Sequence, residues 1–181
     1  IRANQQLVEI AKTIGHELPE DLIEDIANTE KSLDNLWDSY YKQYFSRHFI
    51  SRKFLKQPTI ATLLPLYSGS ITKERAEELV AMVKNTELFA AEYPLPSVPL
   101  NSTYFKEHGY WQGPTWINTN WMVADGLDRY GYKQEAKHIR EQSMRAVEKH
   151  GPWEYFSPKD GSPAGAENFS WSAALIIDFI S

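Results

Sequence analysis

Tyr110-Trp111-Gln112-Gly113-Pro114-Thr115-Trp116-Ile117-Asn118 is the stretch on which the reading of this chain turns. Gly113-Pro114 predicts a helix start at Pro114, because proline suits the first helical position, where its missing N–H is no loss. From there Trp116, Asn120, Val123 and Leu127 recur at helical spacing down one face, and Gly131 stops the run. Ala136, Ile139, Ser143 and Val147 mark an antiparallel partner that ends at Gly151-Pro152. The result is a helical hairpin, and a second aromatic stretch, Trp153-Glu154-Tyr155-Phe156, follows it directly.

The same grammar extends outward. Leu7, Ile10, Ala11 and Ile14 predict the buried stripe of a first helix stopped by Gly15. Pro19 suits the first turn of a second helix, with Glu20 and Asp21 near its positive end and Leu22, Ile26, Leu33 and Leu36 or Trp37 inward. Residues 38–50 read as a short hairpin or an extended crossing. An apolar stretch from Ile60 to Leu66 leads to Gly69. A helix from about Thr72 then turns Ala76, Leu79, Val80 and Val83 inward. Prolines at 94, 96 and 99 preclude a regular helix between Tyr93 and Pro99. Downstream, Asn168 is the expected N-cap of a last helix that buries Trp171, Ala174, Leu175, Ile177 and Phe179. The pattern predicts an all-α chain of roughly six helices, as a bundle or a ring of helical hairpins. No fixed-length repeat supports a solenoid.

Composition narrows the function classes. The chain has 181 residues, enough for one domain with a real core. Hydrophobic residues make up 42% and charged residues 24%, the balance of a globular protein. The net charge is −5 with no basic block, which argues against nucleic acid as a partner. There is no cysteine, so disulfides and thiolate metal sites are excluded. No apolar run approaches the roughly 20 residues that span a bilayer, so no membrane partner is expected. The expected location is cytoplasmic, although the chain begins at Ile1. His16, His48, His108, His138 and His150 lack metal-ligand spacing, and no phosphate-cradling or dinucleotide-binding pattern occurs. Neither a metal nor a cofactor is expected. Sequons at Asn101 and Asn168 carry little weight.

The aromatic residues carry more. Of six Trp, five (Trp111, Trp116, Trp121, Trp153 and Trp171) lie in the C-terminal half. Indole rings stack on the apolar faces of a pyranose, an amide such as that of Gln112 reads its hydroxyls, and a carboxylate activates a water. A carbohydrate is the partner these residues suit. Glu154, between Trp153 and Tyr155, is the candidate carboxylate, its other reading being an exposed loop acid above packed rings. Asn118 and Asn120 are unusual on a buried helix face and favour a polar pocket. Asp38 reads as a turn or cap residue before it reads as a site acid.

Tyr110 to Asn118 resembles the YW(R/Q)GPxWxN signature of glycoside hydrolase family 63 and its bacterial mannosylglycerate hydrolase-like members. Leu127-Asp128-Arg129-Tyr130-Gly131-Tyr132 resembles the helix end that follows that signature. Trp153-Glu154-Tyr155-Phe156-Ser157-Pro158 and Gly165-Ala166-Glu167-Asn168-Phe169-Ser170-Trp171 resemble the closing block, and trehalases share a more distant version of the layout. The resemblance implies an (α/α)6 barrel, two concentric rings of helices with the pocket at one end. It implies an inverting glycoside hydrolase acting on α-linked glucosides or mannosides, with glucosylglycerate, mannosylglycerate and gluco-oligosaccharides all open. Glu154 aligns with the general base. Tyr110, Trp111, Gln112, Gly113, Trp116 and Tyr155 fall at or beside sugar-contacting positions. The family's general acid, an Asp in a Trp-Asp-type motif well upstream, has no counterpart here. Residues 1–181 are therefore expected to be the C-terminal half of a barrel domain, with an open face that self-associates or pairs with another chain. The alternative is a non-catalytic carbohydrate-binding or assembly module derived from such a barrel.

Overall fold

The computed structural model describes residues 1–180. Two amphipathic helices open the chain, α1 (Arg2–Thr13) and α2 (Glu20–Asp34). Pro19 stands just outside α2 as its N-cap, and Glu20 and Asp21 fill the first turn. The stripe expected on α1 is largely not buried. Ala11 is covered, while Leu7, Ile10 and Ile14 are exposed. No described element covers the rest of that stripe, and α1 is held on another face, where the Gln5 side-chain amide donates to Glu30 and to Ser70 Oγ. Leu22, Ile26 and Leu33 of α2 are half-buried.

A hairpin of β1 (Trp37–Asp38) and β2 (Gln43–Tyr44) follows, pairing Trp37 with Tyr44. Asp38 is its turn residue. Its Oδ1 accepts the N–H groups of Tyr40 and Tyr41, and the Tyr41 bond leads the causes that hold its carboxyl below the ordinary range. A 3-10 turn (Ile60–Thr62) leads to α3 (Pro65–Ser68), which stops at Gly69 in the left-handed conformation. Then comes α4 (Lys73–Val83), capped by the Thr72 hydroxyl, with Ala76, Leu79, Val80 and Val83 buried as their spacing predicts.

The C-terminal half contains α5 (Ile117–Arg129), α6 (Lys133–His150), β3 (Tyr155–Phe156), β4 (Pro163–Ala164) and α7 (Ser170–Ile180). The helix predicted from Pro114 starts at Ile117. Pro114 and Thr115 stay outside it because Thr115 bridges to Pro96 on one side and to Phe156 on the other. Sheet-like partners on both sides outweigh the local preference for a helix start. Asn168 is not the cap of α7. It lies before the helix with a φ of 55°, a left-handed conformation that Asn tolerates better than most residues. On α7 only Ser172 is fully buried, while Trp171, Ala174 and Ile177 are exposed and Leu175 and Phe179 half-buried. The apolar face expected to be inward is thus largely open.

The Pro-rich passage is a buried spine. Every residue from Tyr93 to Pro99 is buried. A buried loop must satisfy its backbone polar groups, and this one does so on several sides. Tyr93 N–H donates to Pro158 O, Leu95 N–H to Phe89 O and Ser97 N–H to Pro114 O, and Ser97 O accepts from Ile60 N–H. The Asn120 side-chain amide donates to Pro94 O and Ser143 Oγ, which ties the spine to α5 and α6. The helix α5 packs against α3, α6 and α7. With seven α-helices and only two short hairpins of paired strands among the described residues, the class is all-α, as expected. No helix is long and apolar enough to cross a membrane among the described residues.

Gly126 sets the approach of α5 to α3. A Cβ there would lie 2.5 Å from the Leu66 carbonyl carbon and 2.6 Å from the Tyr67 nitrogen. Both are backbone atoms that cannot rotate away. Gly126→Ala is therefore expected to lower stability by about 1–3 kcal/mol in urea unfolding followed by circular dichroism. An unchanged midpoint would contradict the close contact.

Candidate active site

The loop before α5 builds an aromatic platform. It closes on itself: Lys106 N–H donates to Gln112 O, Gly109 N–H to Lys106 O and Gln112 N–H to Gly109 O. Gly113 is buried where the loop ends, and a Cβ there would lie 2.1 Å from Lys106 O. Its N–H donates to Ser97 Oγ at 2.9 Å. No side chain fits at that position, so Gly113 serves the loop's closure. Tyr110, at a φ of 58°, turns the chain so that Trp111 lies flat on Trp116, centroids 3.9 Å apart and planes 2° from parallel.

Trp116 is the buried base of the platform, 1% exposed. Its indole N–H donates to Tyr110 O at 3.2 Å. Tyr110 meets it edge-on, Tyr155 lies tilted against it at 4.9 Å, and Trp171 abuts it at 5.9 Å. Tyr110 also meets Tyr155 at 5.8 Å. Aromatic pairs of this kind add about 0.5–1.5 kcal/mol each beyond their buried area. Trp111 is 38% exposed, and Gln112 beside it is exposed as well.

Glu154 stands at the platform's edge. It precedes β3, one residue before Tyr155, whose ring lies against Trp116. Its N–H donates to Ala166 O at 2.9 Å, and its Oε2 accepts from Ala166 N–H at 3.0 Å. Oε1 has no hydrogen-bond partner among the described residues. The carboxylate is thus anchored by one oxygen, with the other available. Gly165 makes this geometry feasible. At a φ of 82°, its missing Cβ would lie 2.6 Å from Glu154 Oε2 and 2.7 Å from the Tyr155 ring. Burial pushes the Tyr155 hydroxyl pKa up, and the nearby charge of Glu154 adds to the shift. Trp153 turns to structure instead. Its indole N–H donates to His150 O, and its carbonyl accepts from Ser172 Oγ.

An open cleft of about 430 Å³ runs beside Trp111, lined in part by Ser97, Asn118, Thr119 and Met122. Asn118 Oδ1 and Asn120 Oδ1 are both buried without a hydrogen-bond partner, while the amide nitrogen of Asn120 bonds the spine and α6. Of the two asparagines expected on a buried face, only Asn118 lines the cleft. Tyr110, Trp111, Trp116 and Tyr155 converge, Gln112 is exposed beside them, and Glu154 meets this group through Tyr155 and Gly165 and does not line the cleft beside Trp111. Ser97, Thr119 and Gly165 were not legible as site residues, since a small polar residue or a glycine has no site-specific pattern. The described residues contain no cluster of three side chains suited to a metal.

Comparison with known proteins bears on this geometry. The family model for the mannosylglycerate hydrolase MGH1-like glycoside hydrolase domain matches residues 1–172. The mannosylglycerate hydrolase of Thermus thermophilus is 38% identical over 97% of this chain and 42% of its own length. The glucosylglycerate hydrolase of Mycolicibacterium hassiacum is 27% identical over 72% of this chain and 30% of its own. The crystal structure of a GH63 mannosylglycerate hydrolase from Thermus thermophilus in complex with glucose superposes with a TM-score of 0.91 at 35% identity. That match covers 98% of this chain and 45% of the solved one. The chain thus spans less than half the length of these relatives, and its helices are a portion of an (α/α) toroid.

The stacked indoles yield a spectroscopic prediction. Parallel rings 3.9 Å apart couple their transitions, so the far-ultraviolet circular dichroism should carry an exciton band. Trp111→Leu should weaken that band, part of which Trp116 keeps through Trp171 and Tyr155, while leaving the helical signal in place. An aromatic signal unchanged by the substitution would contradict the stack.

Proposed function

The chain belongs to the mannosylglycerate hydrolase MGH1-like glycoside hydrolase domain family, and from that premise we propose that it forms the base-bearing wall of an inverting glycoside hydrolase. The substrates are α-linked glucosides or mannosides, with glycerate glycosides foremost because relatives carry those names. The observation that carries the reading is Glu154, with Oε2 held by the Ala166 N–H, Oε1 unpartnered and Tyr155 packed against Trp116.

In this reading the apolar face of a pyranose rests on the outer face of Trp111, while Gln112 and the Tyr110 hydroxyl read its polar edges. Glu154 Oε1 takes a proton from a water as the water oxygen bonds to the anomeric carbon. A second carboxyl group protonates the glycosidic oxygen as the bond to the aglycone breaks. Attack from the opposite face inverts the anomeric centre, and the two carboxyl groups stand roughly 6.5–9.5 Å apart to admit the water. The general acid belongs to the part of the relatives' length that this chain does not span. The helices completing the ring cover the exposed face of α7.

Glu154→Gln, in the protein as its gene encodes it, should lower kcat on α-mannosyl- or α-glucosylglycerate by about 10²–10⁴-fold, the usual range for losing a general base. Sugar affinity by calorimetry should stay nearly constant. Wild-type turnover in that variant would end the assignment. Sugar binding without turnover in the unaltered protein would favour a non-catalytic carbohydrate module instead. Trp111→Ala should weaken sugar binding by up to about tenfold, the loss of one ring contact. Unchanged affinity would remove Trp111 from the pocket.

A further inference from the structure

We infer that Glu107 is a positioning residue, whose carboxylate ties the loop carrying Tyr110 and Trp111 to the strand carrying Glu154. The inference rests on the reading of Glu154 as the base and adds what holds that base in register with the sugar platform.

The loop makes its own backbone hydrogen bonds internally, between Lys106, Gly109 and Gln112. Toward the β3–β4 hairpin it offers ring contacts through Tyr110, and ring contacts tolerate sliding. Glu107 supplies the directional link. Its Oε1 accepts the Ser157 hydroxyl at 2.7 Å, and its Oε2 lies 3.2 Å from Lys159 Nζ. Ser157 is fully buried and follows Glu154 along the same extended segment. Its hydroxyl oxygen already accepts the N–H groups of Lys159 and Asp160, so its single hydrogen is committed to Glu107. Its backbone is fixed too, with N–H to Ser162 O and carbonyl from Gly161 N–H. Lys159 grips the loop a second time, with Nζ 5.6 Å above the Phe105 ring. The Ser157 bond first, and Lys159 after it, hold the Glu107 carboxyl below its ordinary range, which keeps it ionised at neutral pH.

Without Glu107 the hydroxyl of a buried serine loses its acceptor, and the loop carrying Tyr110 and Trp111 is free to shift against Trp116 and the hairpin, which the Thr115–Phe156 pair keeps in register. A displacement of an ångström at a reacting group costs up to about a hundredfold in rate. The sugar still finds Trp111, so the loss falls on kcat more than on KM. Glu107 touches neither the sugar nor the water, so the shape of the pH–rate profile is unaffected.

The test compares Glu107→Ala and Glu107→Gln in the full-length protein, the second retaining an oxygen that accepts from Ser157. The alanine variant should lower kcat on the order of tenfold with KM within about threefold and the pH optimum unmoved. The glutamine variant should restore most of that loss. The exciton band of Trp111 and Trp116 is read in the same samples, and it should weaken in the alanine variant and return in the glutamine variant. Full activity in Glu107→Ala, or a glutamine variant no better than alanine, overturns the inference. If the protein hydrolyses no α-glycoside, the functional reading fails, and the exciton band alone decides whether Glu107 positions the loop. An unchanged band in Glu107→Ala then counts against it.

Discussion

Thr115 and Phe156 exchange backbone hydrogen bonds in both directions, at 2.9 and 3.0 Å, and the candidate site depends on that pair. Thr115 also bridges to Pro96 and gives its hydroxyl to Tyr93 O at 2.8 Å. One buried residue thus joins the Pro-rich spine, the approach to α5 and the strand that brings Glu154. In an extended pair, a slip of one residue sends every side chain to the opposite face. Phe156 faces the second core cluster with Ile117 and Ala146, while Tyr155 meets Trp116. A slip here would bury Tyr155 and turn Phe156 to the platform.

The site is consequently built on rigid parts. The aromatic loop is closed by its own hydrogen bonds and by a glycine that admits no side chain. The carboxylate is anchored at one oxygen, against a second such glycine at position 165. Preorganisation of this sort matters for the proposed hydrolysis, because a base that must first be oriented lowers the barrier less. Exposure of Trp111 and Gln112 then leaves the outer face of the platform open without loosening the groups behind it.

Much of the fold was legible in residue spacing. The buried face of α4 and the stripe from Trp116 through Asn120 and Val123 to Leu127 needed only helical periodicity. The start of α5 was not legible, because proline after glycine suits a first helical turn and an extended segment equally. Only the partners Pro96 and Phe156, distant in sequence, decide between them. The apolar residues of α1 and α7 carry helical spacing whether or not another element covers them, so Ile14 and Ile177 read as core and are exposed. At the site, the rings and Glu154 were legible because that chemistry requires rare residue types close together. Glu107 and Gly165 were not, since their roles come from contacts with Ser157 and with Glu154 that no local pattern encodes.

Amide hydrogen exchange of the native chain, resolved residue by residue, tests the central pair most directly. If Thr115 and Phe156 clamp the platform to the segment carrying Glu154, their amides should exchange among the slowest in the chain, alongside those of α5. Rapid exchange at either amide, with α5 still protected, would show that the two segments part readily and would contradict the account.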